Sequence, residues 1–311
     1  MVYLAPQPDQ VLPETEWLEH DIEAMFQGNK TGVGLKYLYQ NWHQVLEDDS
    51  YYVDREDREL IKRNKEKIAK KVGNGRPVVE LGCGGSDKGI ILAEAFAASR
   101  YIGVDFWFEN AQASADISKL IPSEPLQIDF MRSAYDWGQY EETVLVVLGS
   151  TISNLVARCD LIRAEEVLEA TLNKLLEIAG PDGDVVLTYD TSETAEETYN
   201  TKDHIDFRKG IFAIANAETA STHLNPDYFD APAVWDAENR CLSHNLVANT
   251  AHTTLIGGQK TPINFGQSFV EGKSYKFSRK IFDDAVKAVG AKTVFVDQAE
   301  HMVIQHIRRH P

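Results

Sequence analysis

The sequence predicts an α/β protein built on a doubly wound, mainly parallel β-sheet. The first observation is a turn with three glycines, 82–85, placed between an apolar run that ends at Leu81 and a segment with helical apolar spacing from Ile90. The second is a continuous apolar run, 143–148, of the kind found in the buried centre of a parallel sheet. Strands and helices alternate along much of the remaining chain. These features predict a nucleotide-binding βαβ unit at the start of the sheet.

The individual elements follow from local patterns. Residues 15–72 are predicted to be helical, because apolar residues recur at helical spacing near Trp17 and Ile22 and because 54–71 is rich in Glu, Lys and Arg. The predicted sheet strands are 77–81, 101–104, 126–128, 143–148, 184–189, 293–296 and 302–307, the last two as an antiparallel hairpin. Predicted helices cover 164–178 and 192–216, and alternation at 242–247 and 253–256 predicts an exposed hairpin.

The segment 192–278 does not fit the sheet, because it begins as a helix and then becomes extended and rich in turns. We expect it to be an insertion that forms, together with residues 1–60, a second, discontinuous α+β domain. Residues 61–191 and 279–311 would then form the sheet domain. Because ligand pockets are common at domain junctions, the second domain is expected to bind the substrate.

The composition limits the possible partners. A net charge of −17 over 311 residues argues against nucleic acid, since phosphate contacts need clustered Lys and Arg, so a small-molecule substrate is expected. No apolar run approaches the ~18 residues of a membrane span, and the N-terminus lacks the features of a signal peptide. The three cysteines are far apart and the histidines lack metal-binding spacing. We therefore expect a cytoplasmic protein without disulfides or a metal, and the oligomeric state is left open.

The Gly-rich turn differs from a dinucleotide fingerprint. It reads E-L-G-C-G-G-S, with Glu80 ahead of the first glycine, instead of G-x-G-x-x-G. The second strand ends in Asp105, whose carboxylate can accept hydrogen bonds from both hydroxyls of a ribose. The acid, the loop and Asp105 together resemble the S-adenosylmethionine loop of class I methyltransferases. A Rossmann-type turn for another nucleotide, or for none, is the alternative.

Further segments resemble one family, the histidine Nα-methyltransferases of ergothioneine biosynthesis and their relatives that act on other amino acids. Residues 79–88 resemble the family's V-E-L-G-S-G-x-S-x-K, with Cys83 in place of serine. Residues 148–155 read L-G-S-T-I-S-N-L, against L-G-S-T-I-G-N-L in the family, and 274–277 resemble its S-x-K-F. The resemblance runs over most of the chain. It implies a class I methyltransferase fold with an antiparallel last strand.

The resemblance also implies roles for particular residues. The positions that match cofactor-binding residues are Gly82, Gly84, Lys88, Asp105, Asp129, Phe130, Gly149, Ser150 and Thr151. The positions that match substrate-binding residues are Tyr39, Tyr51, Asn154, Tyr199, His244, Gly272 and Ser274. Tyr39 and Asn154 are the expected catalytic residues, Tyr39 by orienting the amine. An amide and phenols can hold the amine and carboxylate of an amino acid without adding a fixed charge.

These assignments have structural alternatives. An asparagine after a strand commonly caps the next helix, so Asn154 can have that role, although the surrounding motif favours the substrate role. Tyr39, Tyr51 and Tyr199 can pack on amphipathic faces. Lys88 can be a solvated charge in the first turn of a helix.

The chain departs from the family pattern where the substrate side chain is selected. Histidine-specific members have a glutamate at the position of Gly272, whereas this chain has Glu271 one residue earlier. His244 stands where those members have a methionine, and 207–210 read F-R-K-G in place of F-N-x-N. Without the acid, a wider and neutral pocket suits an indole or another aromatic side chain better than imidazole, unless Glu271 reaches the pocket.

The predicted function is therefore S-adenosylmethionine-dependent methylation of the α-amine of a free amino acid or derivative, with an aromatic, tryptophan-like or histidine side chain. Such a transfer needs in-line positioning of a neutral amine. The alternatives are methylation of another small molecule, a non-catalytic relative that still binds the cofactor, and a nicotinamide oxidoreductase. The missing G-x-G-x-x-G argues against the last, and the intact loop with Asp105 and Asn154 argues against a loss of catalysis.

Overall fold

The computed structural model describes residues 14–28, 35–39, 51–130, 137, 142–155, 164–193, 195–219 and 222–310. The strands are β1 (Val78–Leu81), β2 (Tyr101–Asp105), β3 (Ser123–Gln127), β4 (Val144–Val147), β5 (Asp184–Asp190), β6 (Phe229–Asp230), β7 (Ala233–Asp236), β8 (Cys241–Ala248), β9 (His252–Ile256), β10 (Gln259–Ile263), β11 (Ser268–Tyr275), β12 (Ala291–Gln298) and β13 (Met302–Arg309).

The helices are α1 (Glu14–Phe26), α2 (Leu35–Leu38), α3 (Tyr52–Val72), α4 (Lys88–Ala95), α5 (Phe108–Ile117), α6 (Thr151–Leu155), α7 (Ala164–Ala179), α8 (Ala195–Tyr199), α9 (Lys202–Glu218) and α10 (Arg279–Ala288). None of the helices in the described ranges is long and apolar enough to cross a membrane. The cytoplasmic location expected from the sequence stays a prediction.

The main sheet has seven strands in the order β12-β13-β5-β4-β1-β2-β3. The pairs β1–β2, β1–β4, β2–β3 and β4–β5 are parallel, whereas β13 runs antiparallel to both β5 and β12. The strand order reverses between β1 and β4, so the loops after these two strands diverge to opposite sides. In open α/β sheets, ligands bind in the crevice at the carboxyl ends of strands at such a switch point.

Helices cover both faces of this sheet. Alternate residues of β4 belong to different cores: Leu145 and Val147 pack with α7 and α10, and Val144 and Val146 pack with α3 and α4. All four are fully buried, which explains why the run reads as continuously apolar. The domain boundary expected after residue 60 falls inside α3, and this helix packs on the sheet along its whole length.

The inserted segment forms a second, smaller sheet. Its strands are ordered β11-β8-β6, β7 also pairs with β8, and β9 and β10 form a hairpin. Helices α1 and α9 pack on it around a core of aromatic and aliphatic side chains that includes Phe26, Tyr37, Phe212, Phe229 and Phe269. Residues from the N-terminal region and from the insertion therefore share one core.

The single helix predicted over 192–216 is wrong, because α8 and α9 are separated by Asn200 and Thr201. Thr201 has an extended backbone at the start of α9, with φ −65° and ψ 160°. The Asn200 side chain donates to the carbonyl of Ala233 and accepts from its N–H, both at 2.8 Å. These two bonds tie the break to β7, and a propensity for helix does not reveal such long-range bonds.

Candidate functional site

A cleft of about 940 Å³, counted to its open mouth, lies at the carboxyl ends of β1, β2 and β4. We call it the sheet cleft. It is lined by Tyr39, Glu80, Gly82, Cys83, Gly84, Ser86, Lys88, Asp105, Phe106, Ile128, Asp129, Phe130, Leu148, Gly149, Thr151, Asn154 and Leu155. Most of these residues come from the turns that follow the strands, where the switch point places them side by side.

The Gly-rich loop after β1 leaves space that a side chain would fill. Gly82 has φ +67°, and a Cβ on it would lie 2.9 Å from Cγ2 of Thr151 in the turn after β4. Gly84 also has a positive φ, of 61°. Glycine is therefore required at Gly82 both for the backbone conformation and for the contact between the two turns.

Asp105 at the end of β2 is held by donors from its own surroundings. Its carboxylate accepts from the N–H of Gly84 at 2.9 Å, from the N–H of Trp107 at 3.0 Å and from Nδ2 of Asn110 at 3.4 Å. Burial raises the pKa of Asp105, and these hydrogen bonds act in the opposite direction. The result is a buried, oriented carboxyl group in the wall of the cleft.

Glu80 is a cleft residue that is absent from the predicted set, although it stands in the motif that identified the loop. Tyr101 Oη donates to its Oε2 at 2.5 Å. Burial raises the pKa of Glu80 to about 8. The signal that could have found it is the acid at the head of the E-L-G-C-G-G-S turn.

Lys88 lines the cleft with its charge already paired. Its Nζ lies 3.0 Å from Asp57 Oδ2 and 3.2 Å from Asp54 Oδ1, both on α3. Burial opposes the charged form of Lys88, but the two carboxylates raise its pKa. Asp57 also accepts from the N–H of Gly149 at 2.9 Å. One buried ion-pair cluster thus joins α3 to the turn after β4.

A second cavity of about 510 Å³ lies between the sheet and the inserted segment. We call it the junction pocket. It is lined by Tyr39, Tyr51, Gly149, Ser150, Asn154, Tyr199, His204, Phe207, Arg208, His244 and Ser274. Tyr39, Gly149 and Asn154 line both cavities, and Asn154 Nδ2 donates to Tyr39 Oη at 2.5 Å. The two cavities therefore meet at these three residues.

Aromatic rings form much of the wall of the junction pocket. The Tyr51 ring contacts the rings of Tyr199 and His204, with centroids 6.2 Å and 5.4 Å away. The Tyr199 ring also lies 5.5 Å from that of His244. Burial raises the pKa of both Tyr51 and Tyr199, so both phenols are protonated and neutral near pH 7.

A buried ion pair lies behind this wall. Lys276 and Asp190 are both fully buried, and Lys276 Nζ lies 2.5 Å from Asp190 Oδ2. The same Nζ lies 3.4 Å from Ser274 Oγ and 4.9 Å from the centroid of the Tyr199 ring. Tyr52 donates to Asp190 as well, at 2.7 Å. Lys276 thus contacts two pocket-lining side chains, those of Ser274 and Tyr199, and both of them are uncharged.

The far wall of the pocket contains Arg208 and His244. Arg208 Nη1 donates to the Tyr199 carbonyl at 2.6 Å, and its Nε donates to the Ala231 carbonyl at 3.1 Å. His244 on β8 is paired in register with Gly272 on β11. Burial lowers the pKa of His244 well below its usual value, so the imidazole is neutral near pH 7.

Gly272 and Glu271 are not among the residues that line the junction pocket. The register of β11 against β8 shifts between Val270 and Gly272, which makes Glu271 the extra residue of a β-bulge. Its side chain is fully buried, and neither carboxyl oxygen has a hydrogen-bond partner among the residues that the structure describes. Burial raises its pKa to about 8.

The structure thus brings together most of the residues expected from the sequence. Of the expected cofactor residues, all line the sheet cleft except Ser150, which lines the junction pocket. Of the expected substrate residues, all line the junction pocket except Gly272. His204, Phe207 and Arg208 were missed there, and the altered F-R-K-G string at 207–210 was the available signal for two of them.

The strand order, the antiparallel last strand, the Gly-rich loop after β1 and the buried acid at the end of β2 define the class I S-adenosylmethionine-dependent methyltransferases. The family model described as histidine-specific methyltransferase, SAM-dependent, matches residues 18–309. The chain belongs to this family and is an S-adenosylmethionine-dependent methyltransferase. No curated protein sequence matches the chain.

Solved structures show weaker likenesses. An S-adenosylmethionine-dependent methyltransferase from Clostridium acetobutylicum ATCC 824 is 7% identical, with 81% of this chain and 92% of that chain covered and a TM-score of 0.47. The CcbJ methyltransferase from Streptomyces caelestis is 14% identical, with 80% and 90% covered and a TM-score of 0.45. At TM-scores below 0.5, these likenesses add nothing about the function of this chain.

Proposed function

We propose that this chain methylates the α-amine of a free amino acid or a close derivative with an aromatic side chain, either tryptophan-like or histidine. The observation that carries the proposal is that the sheet cleft and the junction pocket meet at Tyr39, Gly149 and Asn154. An acceptor amine held in the junction pocket at this point faces the cleft that fits the cofactor. The transfer then needs little beyond alignment of the two reactants.

The sheet cleft fits S-adenosylmethionine. Asp105 is a buried carboxyl group suited to the ribose hydroxyls, and the backbone of Gly82 and Gly84 lines the cleft beside it. Asp129 and Phe130 would lie at the adenine, and Lys88 with its acidic partners offers both charges for the amino-acid end. When bound, the cofactor supplies an electrophilic sulfonium methyl group.

The residues at the shared wall suit an amine that must be neutral to attack. Asn154 and Tyr39 can hold the amine by hydrogen bonds, and neither adds a fixed positive or negative charge. Tyr51 and Tyr199 are neutral phenols, which can donate to the α-carboxylate of the acceptor. Ser274 is placed to add a further donor from β11.

The aromatic preference rests on the rings of the pocket wall. Tyr51, Tyr199 and Phe207 line the junction pocket, and flat apolar faces of this kind pack well against an aromatic side chain. Gly272 contributes no acid, and Glu271 is buried outside the lining. A selective carboxylate for imidazole is therefore not available at those two positions in this conformation.

A methylation screen tests the proposal. Purified protein with S-adenosylmethionine is offered each proteinogenic amino acid, and products are identified by mass. We expect product from aromatic amino acids and a loss of roughly 100-fold in kcat for Asn154→Ala, because this variant removes the amide at the point of transfer. Asn239→Ala is the control, since Asn239 bonds to Asp236 within its own turn.

The outcomes separate the parts of the proposal. Cofactor binding with no product from any amino acid would exclude free amino acids as acceptors. Product only from aliphatic amino acids would overturn the aromatic preference. An Asn154→Ala variant as active as the Asn239→Ala control would remove Asn154 from the catalytic centre.

A further inference from the structure

Arg208 has a buried guanidinium group. It is 2% exposed, and its N–H groups donate to the backbone carbonyls of Tyr199 and Ala231. Among the residues that the structure describes, no carboxylate lies within 4.0 Å of its nitrogens. A guanidinium has five N–H donors, and the three bonds to carbonyls leave one N–H on each terminal nitrogen.

Two other buried polar side chains near Arg208, His244 and Glu271, have atoms without a hydrogen-bond partner among the described residues. His244 is 3% exposed and lines the junction pocket, and its Nδ1 has no hydrogen-bond partner in the described part of the chain. Glu271 interacts electrostatically with Arg208, yet neither of its oxygens accepts a hydrogen bond there. Buried polar groups are nearly always satisfied, so His244 Nδ1, which belongs to a pocket-lining side chain, calls for a partner that the described residues do not provide.

The charge of this wall favours a ligand atom with a lone pair. Arg208 stays cationic near pH 7, because burial lowers its pKa only to about 10. His244 is neutral, and Glu271, with a pKa raised to about 8, is mostly protonated. The far wall of the junction pocket therefore has a net positive charge, and one N–H on each terminal nitrogen of Arg208 remains for a ligand.

We infer that Arg208 and His244 form a subsite for the end of the acceptor's side chain, and that this subsite selects a side chain that carries a hydrogen-bond acceptor atom. The inference rests on the proposed function and narrows its substrate class. Within the aromatic class, a phenol oxygen or a neutral ring nitrogen meets the requirement. Phenyl does not, and indole offers only an N–H donor.

The inference is tested with acceptors that differ by one polar group. Tyrosine and phenylalanine differ by a hydroxyl, so the ratio of their kcat/KM values measures the subsite, and histidine, glutamate and tryptophan extend the comparison. We expect tyrosine to exceed phenylalanine by roughly 10- to 100-fold, the range for a hydrogen bond to a charged group. Glutamate and histidine show whether the subsite takes an anion or a ring nitrogen.

Substitutions of Arg208 show whether that ratio comes from the guanidinium. In Arg208→Gln the ratio should fall to about one, and Arg208→Lys should keep part of it because the charge remains. Lys209→Gln is the matched control, since it removes a positive charge one residue along α9 from a side chain outside the pocket lining. Thermal unfolding of each variant establishes that it is folded.

Three results would overturn the inference. One is equal use of tyrosine and phenylalanine by the unaltered protein. Another is an Arg208→Gln variant that loses activity on all acceptors by the same factor. In that case Arg208 would bind the α-carboxylate common to all acceptors or only support the structure of the pocket wall. The third is an unchanged ratio in Arg208→Gln.

Binding measurements keep this test separate from the proposed function. Calorimetry with S-adenosylhomocysteine and each amino acid measures acceptor binding even if no methyl group is transferred. Binding that favours tyrosine over phenylalanine and depends on Arg208, without turnover, would support the subsite and reject amine methylation of that acceptor. Turnover without discrimination would reject the subsite and leave the proposed function intact.

Discussion

The two cavities of this methyltransferase differ in how they are built. The sheet cleft comes almost entirely from one stretch of chain, 80–155, in which consecutive turns meet at the edge of the parallel sheet. The junction pocket takes its walls from segments far apart in sequence, around Tyr51, Tyr199, His244 and Ser274. The cleft is thus a property of the fold class, whereas the pocket depends on how the inserted segment packs against the sheet.

The sheet cleft and the junction pocket also differ in how their polar groups are hydrogen-bonded. Asp105 in the sheet cleft accepts three hydrogen bonds from the protein, and Lys88 has two carboxylates. Among the described residues, Ser86 Oγ in the sheet cleft has no partner, and neither do His244 Nδ1 and both oxygens of Glu271 in the junction pocket or just behind it. The charged groups of the cleft are thus preorganised by the protein, whereas the junction pocket and the region behind it keep more unpaired polar atoms.

The largest expected effect concerns the ion pair that supports the junction pocket. Replacing Lys276 with methionine leaves Asp190 charged and fully buried, and breaking a buried pair in this way costs about 3–5 kcal/mol. The KM for the acceptor should rise as well, because Lys276 contacts Ser274 and the Tyr199 ring. Urea unfolding and steady-state kinetics measure the two effects.

A matched control for Lys276→Met is Lys280→Met. Lys280 also pairs with an aspartate, Asp284, but it is 86% exposed, and solvent screens such surface pairs so that they contribute little to stability. If Lys276→Met lowers the free energy of unfolding no more than Lys280→Met does, the junction pocket does not depend on a buried charge pair. Recovery of the acceptor KM in Lys276→Arg would show that the charge positions the two pocket side chains.

The second effect tests the sheet cleft. Gly82→Ala introduces a Cβ 2.9 Å from Thr151 Cγ2, so Thr151 at the start of α6 must shift. Overpacking of this kind costs about 1–3 kcal/mol, which corresponds to roughly a 10- to 100-fold rise in Kd for S-adenosylhomocysteine. Calorimetric titration measures it.

Gly75→Ala separates the clash from the backbone strain. Gly75 also has a positive φ, of 83°, but a Cβ there meets nothing within 4 Å. Both variants lose stability from the left-handed conformation, by about 1 kcal/mol. Only Gly82→Ala should lose affinity for S-adenosylhomocysteine. Equal affinity in the two variants would mean that the contact between Gly82 and Thr151 does not determine the shape of the sheet cleft.

The difference between the cavities explains how far the sequence alone predicts the site. Glycines with positive φ, a carboxyl group at a strand end and a buried parallel strand all have local signatures, so the turn at Gly82, the strand that ends in Asp105 and the strand at 144–147 were predicted from the sequence. The antiparallel last strand was also predicted, because two apolar runs with a short connector read as a hairpin.

The remainder depends on contacts that have no local signature. The pairing of Lys88 with Asp54 and Asp57 joins α3 to α4 across the intervening strand β1, and the break before α9 is set by bonds between Asn200 and Ala233. Burial of a charge is equally invisible in the sequence. For the same reason, the prediction of a neutral pocket, which was based on Gly272, took no account of the buried guanidinium of Arg208.

The last expected effect is a dependence of the free energy of unfolding on pH, caused by Glu271 behind the junction pocket. Glu271 has a pKa of about 8 in the folded protein, against 4.5 for an ordinary glutamate. The folded state therefore keeps a proton that the unfolded state releases, and the free energy of unfolding should fall as the pH rises from about 4.5 to about 8. Glu271→Gln removes this titration and keeps the shape of the protonated side chain.

Urea unfolding at pH 5, 7 and 8.5 checks this expectation. At pH 5 the stabilities of the Glu271→Gln variant and the unaltered protein should differ least, because this pH lies close to 4.5, the pKa of an ordinary glutamate. At pH 8.5 the variant should be clearly more stable than the unaltered protein, since it has no carboxyl group whose ionisation favours the unfolded state. Glu94→Gln, on the exposed side of α4, should show no such trend. A variant that is less stable at pH 8.5 would mean that Glu271 ionises favourably beside Arg208, and the pocket wall would then be neutral and lose its excess of positive charge.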